Sequence, residues 1–323
     1  MTGRIGLDLG GTKLEVLALD AGGAERLRAR VPTPQAYGGL LEAIDALVAQ
    51  ADAALGTPGS PVGIGAPGSP SPVDGVHRNS NILSMNGQRF AADVAARLAR
   101  PVRVTNDANC LTLSESIDGA AAGLGDVVFG VILGTGVGGG VVVRGDVLDG
   151  RNGIAGEWGH VMLPGLGDAQ AGAHRCYCGK FGCLEQFLSG PALERRYLAE
   201  SGTARPMAEV AARALAGTDP AASSTVDWLV HHLARSLSVI CNTLDPHAVV
   251  LGGGVSNVPG LAERVERELP AHVFSDRCAT RVVRAAHGDS SGIRGAALLG
   301  ATAGLRSAAR AHTSTSRPSA LER

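Results

Sequence analysis

The sequence predicts an α/β protein of two domains built on a repeated plan, and three observations carry that expectation. Its 323 residues are too many for one small module and suit two domains of ordinary size. Strand-like and helix-like stretches alternate along the chain, the pattern of α/β architecture. Two apolar hairpins with glycine turns, one at each of two widely separated places, open successive α/β stretches and imply duplication.

The elements follow in order. Ile5–Leu9, the turn Gly10-Gly11-Thr12-Lys13 and Leu14–Leu19 read as the first hairpin. Apolar residues at Leu40, Leu41, Ile44, Leu47 and Val48 recur at helical spacing, with Pro34 before them and Gly56 after, so a helix is expected over Tyr37–Leu55. A short strand at Val62–Ile64 runs into Gly65-Ala-Pro-Gly68. Phe90–Leu98 reads as a helix, and Pro101–Thr105 as a strand feeding a helix that starts near Asn106-Asp107. Val127–Leu133, Gly134-Thr135-Gly136 and Val137–Arg144 repeat the hairpin. Ala248–Leu251 is a buried-strand run, followed by Gly252-Gly253-Gly254 and a helix over Leu261–Leu269. The stretch 306–323 has no apolar periodicity and is expected to be a disordered tail.

Composition narrows the function. Apolar residues make up 45% of the chain, enough for a sizeable core despite 46 glycines and 16 prolines. Lys and Arg number 29 against 30 Asp and Glu, and aromatics are 3%. Neither a basic surplus nor stacking platforms are present for nucleic acid. The longest uncharged stretch, Val127–Val143, carries six glycines and reads as two strands with a turn, not a membrane span. No signal-peptide pattern opens the chain, and a soluble cytoplasmic protein is expected.

Four groups of residues carry chemistry. Asp8-Leu-Gly-Gly-Thr-Lys13 could cradle a phosphate with backbone N–H groups, a hydroxyl and a cation, or be an ordinary hairpin turn. It is not a Walker A loop. Gly134-Thr135-Gly136 in the same setting favours the phosphate reading. Asp107, where a strand yields to a helix, could accept a hydroxyl proton in phosphoryl transfer or cap the helix. His160 with Cys176, Cys178 and Cys183 offers three thiolates and an imidazole, a closed set suited to structural zinc; a disulfide across Cys-x-Cys would be strained. His287, in His-Gly-Asp-Ser-Ser-Gly, reads as a turn before a helix.

Together Asp8-x-Gly-Gly-Thr-Lys13, Gly134-Thr-Gly-x-Gly-Gly139, Gly252-Gly-Gly254 and the Cys/His cluster resemble the ROK family of sugar kinases, from Ile5 to about residue 303. The resemblance implies a two-domain, actin-like and hexokinase-like ATPase fold with duplicated ribonuclease H-like domains that close around ATP and sugar. The expected domains are 1–116, with a helix near 290–303 packing back on it, and 117–289, with the zinc loop. It implies that Asp8, Gly10, Gly11, Thr12, Lys13, Gly134, Thr135, Gly136, Gly138, Gly139 and Gly252–Gly254 hold ATP with Mg2+. By the same resemblance Asp107 is the catalytic base, and Asn81, Asn106, Asp107, Glu157, His160 and Glu185 contact the sugar. His160, Cys176, Cys178 and Cys183 would bind zinc, His160 through one nitrogen while the other faces the sugar side. A homodimer without nucleic-acid or membrane partners is implied. The runs around Glu157, Cys176 and His287 most resemble the fructokinase branch, with N-acetylglucosamine kinase next and glucokinase third. A ROK repressor or a non-catalytic sugar sensor is the alternative of another class. The first hairpin begins by residue 5, which leaves no room ahead of it for a helix-turn-helix, and intact Asp8 and Asp107 speak against a sensor.

Overall fold

Two five-stranded sheets of the same strand order organise the protein, which a computed structural model describes over residues 3–301. The stretch 306–323, expected to be a tail, lies outside the described residues. The chain divides into two units.

The first unit takes in the described residues up to Cys110, Arg151–Gly153 and those from Gly292 onward. Its elements are strands β1 (Arg4–Leu9), β2 (Lys13–Leu19) and β3 (Glu25–Pro32), helix α1 (Tyr37–Leu55), strand β4 (Val62–Gly65) and the two-residue strands β5 (Ser69–Pro70) and β6 (His77–Arg78). Helix α2 (Phe90–Leu98), strand β7 (Val102–Thr105), the first turn of α3 (Asp107–Ile117) and the closing helix α10 (291–301) complete it. The sheet order is β3-β2-β1-β4-β7. β1 is antiparallel to β2 and parallel to β4, and β4 is parallel to β7. Helix α1 forms where Leu40, Ile44, Leu47, Val48 and Ala51 bury one stripe, and it stops at Gly56, whose φ of 64° makes a left-handed cap. That stripe packs with Leu14, Val16 and Ala18 on one face of the sheet. Leu17 and Leu19 point the other way and meet Ile293 and Ala297 of α10.

Helix α10 approaches the sheet with backbone nearly touching backbone. A Cβ on Gly63 would lie 1.9 Å from the Ala296 carbonyl oxygen, and one on Gly6 2.4 Å from the Ala297 nitrogen. Two strand glycines are therefore demanded by a helix some 230 residues or more further along the chain.

The second unit comprises Leu111–Gly150 and Ile154–Ser291. Its sheet orders β10-β9-β8-β11-β12, from β8 (Val127–Leu133), β9 (Val137–Val143), β10 (Asp146–Val147), β11 (Ala248–Gly252) and β12 (Arg281–Arg284). β8 and β9 form the hairpin, while β11 runs parallel to both β8 and β12. The plan of the first sheet thus recurs in all five strands, with β10 antiparallel to β9 as β3 is to β2. Helix α4 (Asp168–Gly172) precedes the clustered cysteines, and the long stretch after them, for which periodicity gave no reading, forms helices α5 (Glu185–Leu188), α6 (Gly190–Ser201), α7 (Met207–Ala216) and α8 (Pro220–Leu244), with α9 (Leu261–Glu268) after β11. Asp219 caps α8 by accepting the Ala222 N–H, and Leu229, Leu233 and Leu237 are fully buried with β8 and β11 in the main core. Among the described residues no helix is long and apolar enough to cross a membrane.

Candidate active site

In the first unit the hairpin turn sits at the carboxyl end of β1. The Gly10 N–H donates to the Lys13 carbonyl at 2.8 Å. Thr33, a buried residue that no local pattern marks, braces the turn: its hydroxyl donates to the Gly10 carbonyl at 2.7 Å, and its N–H to the Thr12 carbonyl. Gly11 and Thr12 are left exposed, with Asn81 alongside, since a Cβ on Gly11 would lie 3.8 Å from the Asn81 side-chain oxygen. The Lys13 ammonium rests 3.6 Å from Glu15.

Asp8 shares a row with Gly65 and Thr105 across the parallel strands, so the chain after β7 emerges beside it. Open α/β sheets bind ligands at this edge. Burial pushes the Asp8 carboxyl up to about 6; Lys13 pulls it down, while the charges of Asp107 and Glu15 push it further up. Gly292, in the first turn of α10, comes within 4.0 Å of it, measured from a built Cβ.

Asn106, not Asp107, caps α3. Its side-chain oxygen accepts the Asn109 N–H at 2.7 Å, the i to i+3 bond of an N-cap. Asp107 therefore stands at the first helical position with its carboxylate held to the Ala108 N–H at 2.8 Å. Protein atoms crowd the carboxylate and raise it above the ordinary range, partly offset by hydrogen bonds from the backbone N–H groups of Ala108 and Asp107 itself, although solvent still reaches the side chain. A carboxylate that is raised, reachable and not spent on capping can accept a proton. Asn109 hangs from Thr105 through its amide nitrogen at 2.9 Å.

In the second unit the turn Gly134-Thr135-Gly136 is closed by the Gly134 N–H donating to the Gly136 carbonyl at 2.9 Å. The Gly134 carbonyl accepts from Gly190, the first residue of α6. Gly253 lies against the same place: its φ is 81°, and a Cβ there would sit 2.5 Å from the Leu133 carbonyl oxygen. Gly138 and Gly139 belong to strand β9, beyond the turn. The space a Gly139 side chain would need is filled by Trp158 and the Gly156 carbonyl, and Trp158 donates its indole N–H to the Gly138 carbonyl at 2.9 Å. The loop that leads to His160 thus docks on β9 at these two glycines.

That loop brings the Cys/His residues together. The Nδ1 of His160 and the Cys176 sulfur are 3.6 Å apart, as are the sulfurs of Cys178 and Cys183. All four ligand atoms lie within 4.8 Å of one another. A tetrahedron with metal–ligand distances of about 2.0–2.3 Å has edges of about 3.3–3.8 Å, so the set fits a closed zinc site. The cysteines are unbridged. On the other side of the His160 ring, Nε2 meets the Tyr177 hydroxyl at 3.0 Å, with the rings edge to face. Burial, then the charges of Glu185, Cys176, Glu157 and Cys178, push that phenol up to about 12.

Glu185 follows Cys183 by two residues and reaches the glycine turn. Its Oε2 accepts the Val137 N–H at 3.1 Å, where a side chain on Gly136 would collide with it. One of its oxygens is thus committed to the turn, and the sulfur cluster and the turn are two residues and one hydrogen bond apart.

One anchor of the turn before α10 carries no local sequence signal. Glu115, fully buried in α3, accepts from the N–H groups of Ala120, Ala286 and His287 and from the Ser291 hydroxyl. Burial would raise its carboxyl, but these donors outweigh burial and hold it below the ordinary range. The run at His287 is a turn before α10, as its spacing suggested, and its imidazole pairs with Asp118 at 3.0 Å.

Two sheets of this order, each opened by a glycine-turned hairpin, define the hexokinase-like, actin-like ATPase fold. The chain belongs to the ROK family, whose model matches residues 4–303. An N-acetyl-D-glucosamine kinase of Pectobacterium atrosepticum is 41% identical over 299 residues, covering 91% of this chain and 97% of that protein. A ROK hexokinase structure from Thermus thermophilus is 32% identical, with TM-score 0.82 over 95% of this chain and all of that one. A ROK glucokinase from Streptomyces griseus, solved with glucose and AMPPNP, is 30% identical at TM-score 0.72, covering 92% of this chain and 99% of that chain. The protein is thus an ATP-dependent sugar kinase in class.

Proposed function

We propose that the protein transfers the γ-phosphoryl group of ATP to the terminal hydroxyl of N-acetyl-D-glucosamine. The observation that carries the choice of sugar is the 41% identity to an N-acetyl-D-glucosamine kinase along nearly the whole of both chains. The fructokinase-like runs around Glu157, Cys176 and His287 are short, and similarity over 299 residues outweighs them. Fructose therefore gives way to the amino sugar, with glucose as the next candidate.

Asp107 takes the hydroxyl proton as the sugar oxygen bonds to phosphorus and ADP leaves with the electrons of the broken bond. Such transfers need little from the protein besides positioning, charge neutralisation and a proton acceptor. In the first unit Gly10–Lys13 would offer N–H groups, a hydroxyl and a cation to phosphate oxygens, and Asp8 would help hold the Mg2+ that accompanies ATP. Asn81 and Asn106 offer amides to sugar hydroxyls. In the second unit Gly134–Gly136 and Gly252–Gly254 serve the nucleotide, and Glu157, Glu185 and the His160 loop serve the sugar. A zinc ion held by His160, Cys176, Cys178 and Cys183 has its four positions filled and would fix the loop without activating water. We further propose a homodimer in the cytoplasm, on the family resemblance.

An ADP-release assay over N-acetylglucosamine, glucose, mannose and fructose at matched concentrations tests the substrate. A site built for the acetamido group leaves its partners unpaired with the other sugars, at about 1–3 kcal/mol for each buried group. The amino sugar should lead in kcat/KM by roughly fivefold to more than a hundredfold. Fructose in the lead by that margin would overturn the choice of sugar and leave the kinase class intact.

A further inference from the structure

The second unit carries another convergence of metal-binding side chains, away from the cysteine cluster in sequence and made of other ligand types. His231 lies on α8, and Glu268 closes α9. His272 follows the single 3-10 turn Leu269–Ala271. The His231 Nδ1 is 2.6 Å and the His272 Nε2 3.3 Å from the same oxygen, Oε1 of Glu268. The two imidazole rings are 5.4 Å apart and edge to face. All three ligand atoms fall within 4.8 Å of one another.

We infer that His231, Glu268 and His272 form a second metal site, one that takes a divalent first-row transition ion of the zinc class. Two neutral imidazoles and a carboxylate suit zinc, nickel or copper, whereas calcium and magnesium call for oxygen ligands alone. Bonds of about 2.0–2.2 Å place tetrahedrally arranged ligand atoms about 3.3–3.6 Å apart. The His272 to Glu268 distance already matches. The His231 contact would open by under 1 Å, which side chains 46% and 31% exposed can follow. Among the described residues no Lys or Arg lies within ion-pair distance of Glu268, so its charge is shared by the two imidazoles alone. Partial exposure leaves one side for water as a fourth ligand. An ion held here joins α8 to the end of α9, positions 37 residues apart, and so stabilises the folded second unit without touching the residues assigned to transfer.

The test uses the full chain without a histidine tag, with the cysteine site filled by zinc and free metal removed by gel filtration. Titration calorimetry with Zn2+ at neutral pH, paired with thermal melting, reads the second site. One further ion per chain should bind saturably, and the melting temperature should rise by several degrees. His231→Ala, His272→Ala and Glu268→Gln should each weaken that binding tenfold or more, with turnover on Mg-ATP, no transition metal being added, unchanged. His272→Gln keeps a side chain of similar reach and guards against loss of packing; circular dichroism reports whether each variant is folded. No saturable zinc beyond the cysteine site would overturn the inference. So would undiminished binding in the folded His231 and His272 variants.

Discussion

Glu115→Gln should destabilise the protein by about 2–4 kcal/mol, and the figure follows from four hydrogen bonds. In the wild type, Oε1 accepts the His287 N–H at 3.0 Å and the Ser291 hydroxyl at 2.7 Å. Oε2 accepts Ala120 at 2.8 Å and Ala286 at 2.9 Å. A glutamine must present an NH2 to one pair. Facing Ala120 and Ala286 it would confront two N–H groups that can only donate. Facing the other pair it confronts one, because the Ser291 hydroxyl can turn its proton to the Gly288 carbonyl, 2.9 Å away, and accept. The second orientation is preferred, leaving the His287 N–H unpaired at about 1–3 kcal/mol. Losing the charge behind the remaining bonds adds roughly 1 kcal/mol. At about 2–4 °C per kcal/mol for a unit of this size, calorimetry should show a melting point lower by roughly 5–15 °C. Glu115→Ala, which leaves three N–H groups without an acceptor, should fall further. A glutamine variant within 1 kcal/mol of wild type, or worse than the alanine, would refute the reasoning. The carboxyl is held below its ordinary value, so its contribution is complete above the unfolded pKa and disappears as pH falls through the folded one.

Asp8 behaves in the opposite sense. Its carboxyl is raised from 3.8 to about 6, so the folded state prefers it protonated; that preference is complete below the unfolded value and is lost as pH rises through about 6. Asp8→Asn should therefore melt higher than wild type at pH 8, by up to about 3 kcal/mol, and lose the advantage below pH 4, while turnover drops. Equal melting points at pH 8 would show that Asp8 carries no such strain. Cys178→Ser should lose zinc by elemental analysis together with thermal stability, since closed sites couple metal binding to folding; a wild type free of metal yet fully stable and active would remove the ion from the account.

Features written in short stretches were legible in the sequence. Glycine turns flanked by alternating or continuous apolar runs announced both hairpins, and the stripe in Tyr37–Leu55 announced α1 with its own boundaries. The cysteine spacing announced the cluster, because three thiols within eight positions can meet only on one small loop. What could not be read depends on partners far along the chain. Glu115 looks like any acidic helix residue until positions 286–291 arrive to be held. Gly6 and Gly63 are explained only by α10, and Gly139 only by Trp158. Thr33 looks like a strand end but fastens the first turn from 23 residues away. Substrate choice had the least to stand on, because the runs around Glu157, Cys176 and His287 are short whereas the similarity to an N-acetyl-D-glucosamine kinase extends over 299 residues.

The most direct test of the account is Asp107→Asn, assayed for turnover and for sugar binding in parallel. The asparagine keeps the shape and can still meet the Ala108 N–H through its carbonyl, so α3, capped by Asn106, stays in place. It cannot take the proton of the sugar hydroxyl. With saturating Mg-ATP and N-acetylglucosamine, kcat should fall by about 10²- to 10⁴-fold, while calorimetric sugar affinity stays within a few-fold of wild type. A variant that keeps more than about a third of wild-type kcat would lie far outside that range and contradict the assignment of Asp107 as the base.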